Sequence, residues 1–292
     1  ELEIVFGSMS NSGKVFAIDH DGSLVDGFPI QINEKIWVGA ALADLNDNGI
    51  DDIIVVTDSG NLHVFYDDGL NFQIQSSSNI RSAPSVLSLN NGADKFIFFG
   101  NDDGNFYSVD SNGYIRFILE TGEMIRSTPS LIEYNENSYI FFTTENNTIY
   151  ALDFNGNYLP GWPINTGYEL KSSCTFSDLD SNGIPEIIVA ARNGNILVYE
   201  MNGNPMNYFP LDLERTIENT PIIIDIDNDE DLEIITGDAY GLSVIDIKET
   251  GTITSWNLHR GNLTRNGVLI ANDTDICNDP ESGDLNCDSS LD

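Results

Sequence analysis

"IWVGAALADLNDNGIDDIIVVTDSGNLHVFYDDG", residues 36–69, reads as an apolar strand, an Asp/Asn loop, a second strand, a Gly-Asn turn and a third strand. The same order returns in "LKSSCTFSDLDSNGIPEIIVAARNGNILVYEMNG", residues 170–203, and a weaker fourth strand follows each. Further copies start at Ile80, Ile125 and Ile217. Matching Trp37, Arg81, Arg126, Lys171 and Glu218 gives spacings of 44, 45, 45 and 47 residues. Four strands in a period near 45 residues is the arithmetic of a β-propeller blade.

The strands are predicted from β-branched and aromatic runs: Ile53–Val56, Phe96–Phe99, Ile140–Thr143, Ile187–Ala190 and Ile234–Thr236. Nearly continuous apolar character suits strands covered on both faces. Asn-Gly and Asp-Gly pairs at 103–104, 112–113 and 193–194 supply the positive φ that tight hairpins need. No helical periodicity of useful length competes with this reading. The fold class is therefore all-β, a propeller of four-stranded blades near 1–35, 36–79, 80–124, 125–169, 170–216 and 217–256, with a closing segment over 257–270.

Residues 1–35 match only the later part of a repeat, so the reading is one partial and five full blades. Glu3–Gly7 aligns with a second strand and Lys14–Asp19 with a third. A six-bladed ring requires a C-terminal segment such as Val268–Ala271 to supply the missing strand. Membership of a larger ring, with more blades upstream, explains the pattern equally, and the abrupt start favours it.

Three repeats carry oxygen ligands at alternate positions between their first and second strands. In the first full blade these are Asp44, Asn46 and Asn48, with Gly49 sixth and Asp52 ninth. The fourth has Asp178, Asp180, Asn182, Gly183 and Glu186. The fifth has Asp225, Asp227, Asp229 and Glu233, with Glu230 in place of glycine. A short loop wrapping an ion presents side chains from positions 1, 3 and 5 and a carboxylate from 9. It adds a backbone carbonyl from 7, here Ile50, Ile184 or Asp231. Hard oxygen donors in that number suit Ca²⁺. The competing reading is an acidic turn that binds nothing, since Asp, Asn and Gly are ordinary turn formers. Shared spacing in two loops favours calcium; the fifth is the weakest, because Glu230 strains a positive φ. The second and third full blades lack the ligand set.

These loops, the "EIIV"-type strand after them and the blade length resemble the FG-GAP/VCBS repeat family, related to the propeller repeats of integrin α subunits. The likeness spans about residues 1–256 and is specific in the first, fourth and fifth full blades; the others are equally similar to PQQ-type or WD-like blades. "DGFPI" at 26–30, "PGWPI" at 160–164 and "NYFPL" at 207–211 add to it, each an aromatic-Pro pair placed to end a blade and pack on the next. Trp256, Arg260, Arg265 and Gly267 resemble the closing segment of bacterial members. The resemblance implies calcium ions that rigidify hairpin loops of a secreted or cell-surface propeller serving adhesion or scaffolding.

Beyond Ala271 the chain turns polar and acidic, so 271–292 reads as a linker. Asp284, Asn286, Asp288, Ser290 and Asp292 stand at positions 1, 3, 5, 7 and 9 of what resembles the start of a dockerin-like or EF-hand-like calcium loop. Ser289 replaces the usual glycine there. Cys277 and Cys287 are spaced to pair in an oxidising compartment, whereas Cys174 takes a repeat position otherwise held by proline and reads as a small buried residue.

Charge narrows the function classes. The 292 residues carry 12 Lys plus Arg against 47 Asp plus Glu, a formal net charge of −35. Such a surface repels phosphate backbones, arguing against nucleic acid, and no apolar run is long enough for membrane insertion. No nucleophile elbow, P-loop or paired-cysteine zinc motif is present, and three histidines at unrelated repeat positions make a triad improbable. The expectation is a non-enzymatic module with Ca²⁺ as its cofactor and a protein or carbohydrate ligand at a propeller face. The alternative is the accessory propeller of a secreted hydrolase, a peptidase or polysaccharide-degrading enzyme with its catalytic domain upstream. Trp37, Trp162 and Trp256 read as blade packing before carbohydrate contact, and Arg81 and Arg126 as inter-blade salt bridges before an anion site.

Overall fold

In the computed structural model, which describes residues 3–67, 69–90, 92–238 and 240–271, six sheets follow one another in chain order, antiparallel but for one added strand. The first full blade comprises Ala41–Ala43, Asp52–Val56, Asn61–Tyr66 and Gly69–Gln75, paired in sequence order from centre to rim. The second, third and fourth full blades repeat this plan, and all five predicted runs fall in the second strands. Ile187–Ala190, for instance, pairs with Thr175–Phe176 inward and Ile196–Tyr199 outward.

Those second strands are mostly buried, and in the first and fourth full blades buried at every residue, because neighbouring blades cover them. One apolar cluster joins the partial blade to the first full blade through Val15, Ile36 and Val55. Another joins first to second (Ile54, Val64, Ile97, Phe99) and a third joins fourth to fifth (Ile188, Val198, Ile223, Ile234). Phe106 stacks on Phe142 at 4.1 Å between the second and third. The aromatic-Pro pairs at 28–29, 162–163 and 209–210 are all cis. Trp162, buried as expected, donates its Nε1–H to Met201 O at 2.9 Å and so reaches the following blade. Cys174 is fully buried and burial pushes its thiol pKa up, as befits a small core residue.

Two sheets fall short of the four-stranded plan, and two others gain a fifth strand. The partial blade has Ile4–Gly7, Lys14–Ile18 and Ile30–Gln31, the second to fourth strands of a repeat, as its sequence implies. The fifth full blade has Ile222–Ile224, Asp231–Gly237 and Leu242–Thr250 and, among the described residues, no outermost strand. The residues next in line, Thr252–Ile253, turn inward and pair with Ser177–Asp178 of the fourth full blade. Val268–Ile270 does not complete the partial blade; it runs parallel to Val86–Ser88, the innermost strand of the second full blade. That strand offered a free edge at the centre.

Between these two short strands the chain crosses the middle of the propeller. It accepts backbone hydrogen bonds from inner strands of four blades: Phe176 N to Trp256 O, Ile223 N to Asn257 O, Leu42 N to Asn266 O and Val86 N to Gly267 O, all 2.8–3.1 Å. Trp256, 1% exposed, and Leu269 join the core cluster of the second to fourth full blades. We expect Trp256→Ala to cost about 3–5 kcal/mol, since truncating a buried aromatic loses transfer energy and leaves a cavity. Urea unfolding checks this, and a loss below 1 kcal/mol would mean that the segment merely lies in the channel.

Candidate functional site

Each innermost strand runs from one face of the propeller to the other, and the two faces differ. At the strand ends lie the three acidic loops. In the first full blade Asp44 accepts from Asn48 N at 3.1 Å and Gly49 N at 2.8 Å, Asn46 Oδ1 from Asn48 N at 3.0 Å and Asn48 Oδ1 from Ile50 N at 2.8 Å. The fourth reproduces this bond for bond: Asp178 with Asn182 N and Gly183 N, Asp180 with Asn182 N, Asn182 with Ile184 N. Asp47 and Ser181 take φ near 60° and 53°, and Gly49 and Gly183 near 80°. Position 6 therefore uses the freedom its glycine provides.

The ninth residue is anchored the same way in all three loops. One carboxylate oxygen of Asp52, Glu186 and Glu233 accepts the N–H of Leu45, Leu179 and Ile226 respectively, at 2.7–2.8 Å. The other oxygen of Asp52, Oδ1, is buried without any hydrogen-bond partner. A buried, unsatisfied carboxylate oxygen is costly unless a cation or proton meets it, so the donor set fits a hard cation. Oxygens of Asp178, Asp180 and Glu186 lie within 4.8 Å of one another, as do those of Asp225, Asp227 and Asp229. Glu233 stands outside that last trio, and Glu230 is held at φ 75°, the strain expected of a non-glycine there. Asp231 begins a strand and bonds Asp229 Oδ1 weakly at 3.4 Å. Asp284, Asn286, Asp288, Ser290 and Asp292, together with Cys277 and Cys287, lie outside the described residues.

Crowding shifts the titrations. Burial, with Asp180 and Asp178 adding repulsion, pushes Glu186 up to about 7; burial with Asp44, Asp67 and Asp51 pushes Asp52 up to about 6. Asp44 pays for desolvation, yet the N–H groups of Gly49 and Asn48 and the charge of Lys95 hold it below the usual carboxylate range. Lys95 comes from the second full blade, which lacks a ligand set, and forms an ion pair with Asp47. Sequence spacing gave no hint of this pair, because the two residues sit in different repeats.

At the opposite face the matched repeat positions form an ion-pair chain. Arg81 meets Asp58 at 2.7 Å and Asp102 at 3.4 Å; Arg126 meets Asp102 at 2.9 Å and Glu145 at 3.3 Å. Lys171 bonds Glu145 at 2.7 Å and Glu169 at 3.4 Å, and Arg192 joins Glu169 at 3.1 Å to Glu218 at 2.8 Å. Turn residues of one blade thus pair with the strand start of the next, with the signs exchanged at the final step. Arg81 and Arg126 are inter-blade salt bridges, as expected. Trp37, the fifth matched position, is half-exposed and carries the Arg81 guanidinium 5.4 Å above its ring. Inside this rim opens a central cavity of roughly 1490 Å³, bordered by Arg126, Lys171 and Glu218 and floored by His259, Arg260 and Arg265 of the crossing segment.

The raised carboxylates set a pH dependence. Their folded pKa values exceed the unfolded ones, so the stability they lend is full below pH ~4 and is lost as pH rises through about 6 to 7. For Glu186 alone the loss is roughly 3 kcal/mol, at ~1.4 kcal/mol per pKa unit. In EGTA, urea midpoints should fall between pH 4.5 and 7.5, and Glu186→Gln should flatten part of that fall. An unchanged slope in the variant would place the titration elsewhere.

No family model matches the sequence, and no curated protein matches it. Solved structures do resemble it. BBS1N, crystallised in complex with ARL6DN, superposes with a TM-score of 0.57 at 11% identity over 87% of this chain and 80% of that one. Saccharomyces cerevisiae Sqt1 gives 0.60 at 14% identity, over 84% and 68%. The WD40 β-propeller domain of Doa1 gives 0.52 at 13%, over 85% and 75%. At such identities the likeness is one of fold, and the chain is a multi-bladed β-propeller.

Proposed function

We propose that this propeller is a calcium-stabilised, non-catalytic binding or scaffold module of the FG-GAP/VCBS type, working outside the cytoplasm. The observation that carries the reading is the repeated ninth-position carboxylate, one oxygen tied to backbone and the other, in Asp52, buried and unsatisfied beside oxygen donors at positions 1, 3 and 5. In the first loop Asp44, Asn46, Asn48 and Asp52 would hold the ion with the Ile50 carbonyl. In the fourth, Asp178, Asp180, Asn182, Glu186 and the Ile184 carbonyl would do so. Asp225, Asp227, Asp229, Glu233 and the Asp231 carbonyl form the weakest set.

A bound cation reverses the local electrostatics, converting mutual repulsion of the loop acids into shared attraction and keeping Glu186 and Asp52 ionised. Calcium is the fitting ion because flexible oxygen loops accept its larger coordination shell. Millimolar calcium outside cells suits exposed loops of this kind, which supports the secreted or cell-surface reading. A protein or carbohydrate partner at a propeller face follows from the fold's usual employment, with nucleic acid disfavoured by the charge of −35.

Excess EGTA should lower the thermal midpoint, and calcium at a hundredfold excess over Kd should restore ~2.7 kcal/mol per site. Calorimetry should count two or three sites, with Asp178→Asn removing one. No heat and no stability change would reduce the loops to acidic turns.

A further inference from the structure

Positive charge is scarce in this chain, yet four of its 12 Lys and Arg residues, Arg126, Lys171, Arg260 and Arg265, border the central cavity. The first two are spent on the ion-pair rim. The other two are different: among the described residues no carboxylate pairs with either. Arg260 is 5% exposed and held by carbonyls alone, donating to Arg265 O at 2.8 Å, Gly39 O at 3.3 Å, Ala40 O, and Asn266 O at 3.4 Å. Carbonyl dipoles fix the guanidinium but do not cancel its charge, and burial lowers its pKa only to about 10, so it stays cationic. Arg265 is exposed at the cavity floor, and among the described residues its guanidinium has no hydrogen-bond partner. His259, which also lines the cavity, is largely desolvated and feels both guanidinium charges.

The walls are apolar on several sides, from Val38, Ala83, Ile222, Leu258 and Leu263. The two acids at the border, Glu3 and Glu218, leave the floor cationic, and Glu218 is already engaged by Arg192. We infer that this cavity binds a carboxylate carried on an apolar body, with Arg265 as the contacting residue, Arg260 as a fixed charge beneath it and the apolar walls covering the remainder. This deepens the binding-module reading and rests on it. A single negative charge suits the site better than a phosphate: the walls desolvate the ligand, and every added charge meets the field of a chain at −35. Near-physiological salt screens the distant acids beyond about 8 Å, while the floor cations act at contact range.

Two sources of that chemistry exist, a free organic acid and the C-terminus of a protein chain. The test titrates the calcium-loaded chain at 0.15 M salt with 3-phenylpropionate, with its neutral amide, and with a short peptide ending in Ala-Phe as free acid or amide. The readouts are calorimetry and the His259 imidazole resonances. Burial and the nearby Arg260 and Arg265 hold His259 down at about 4, so an anion seated there raises its pKa. Binding by an acid but not its amide, with the His259 shift, is the expected result; which acid binds names the source. Arg265→Asn keeps a residue tolerant of the 53° φ at that position and should weaken binding at least about tenfold, whereas Arg192→Gln, outside the cavity, should leave it unchanged. Equal binding of acid and amide, undiminished binding to Arg265→Asn, or no saturation up to about 10 mM of either acid overturns the inference. Because the calcium response is scored separately by thermal melting, a chain that responds to calcium yet ignores both acids sinks this proposal alone. One that binds acid without any calcium response sinks only the metal reading.

Discussion

The inner edge of a propeller blade is a row of N–H and C=O groups pointing into a channel, and here one stretch of chain meets them. Residues 252–271 satisfy inner-strand donors in four blades and bury Trp256 and Leu269 among three. A buried backbone group without a partner costs about as much as a lost hydrogen bond, so a dry channel requires such a filler. The rest follows from it. The fifth full blade gives up its outermost strand because the chain needs to start inward there, and the cavity acquires a floor made of this segment's polar residues. Arg260 serves both ends by tying Gly39 and Ala40 of the first full blade to the segment.

Around that centre the blades are joined by two layers of different chemistry. The apolar layer of second strands supplies most of the energy, at ~25 cal/mol per Å² of buried apolar surface. The ion-pair chain from Asp58 to Glu218 supplies little per link, because its members are partly exposed and salt-screened. Its contribution is orientation: every junction from the first to the fifth full blade is crossed by at least one of these pairs, which disfavours alternative packings between similar repeats. With so few cations in the sequence, their placement at matched repeat positions is informative.

Period, strand positions and the acidic loops were legible because they recur; the alignment of Trp37 with Arg81, Arg126, Lys171 and Glu218 also marks the interface that ion pairs occupy. Cys174 was legible for the same reason, its repeat position being otherwise proline. What did not recur was not legible. Thr252–Ile253 and Val268–Ile270 are two- and three-residue strands with no periodic signature, and their partners were chosen by which inner edges stood open. The Lys95–Asp47 pair and the carbonyl-only partners of Arg260 among the described residues likewise depend on which residues the array brings together. The "W…R…R" spacing of the closing segment marked the residues, while their role needed the route.

The acidic loops and the central cavity are linked by construction. In the three loop-bearing blades the segment that contains the innermost strand runs from Trp37, Lys171 or Glu218 at the ion-pair face to Asp44, Asp178 or Asp225 only seven residues on. An extended strand transmits register well and rotation poorly, so occupancy at one end reaches the other chiefly by deciding whether the blade is fully formed. Calcium would then act on the cavity through the population of closed blades and not through a change in its shape. Such coupling is reciprocal: whatever factor calcium adds to ligand affinity, ligand adds to calcium affinity. Its size is bounded by how often the loops are open without metal. On the calcium reading proposed above, the carboxylates of Asp52 and Glu186, raised by burial and neighbouring acids, would favour opening as they ionise.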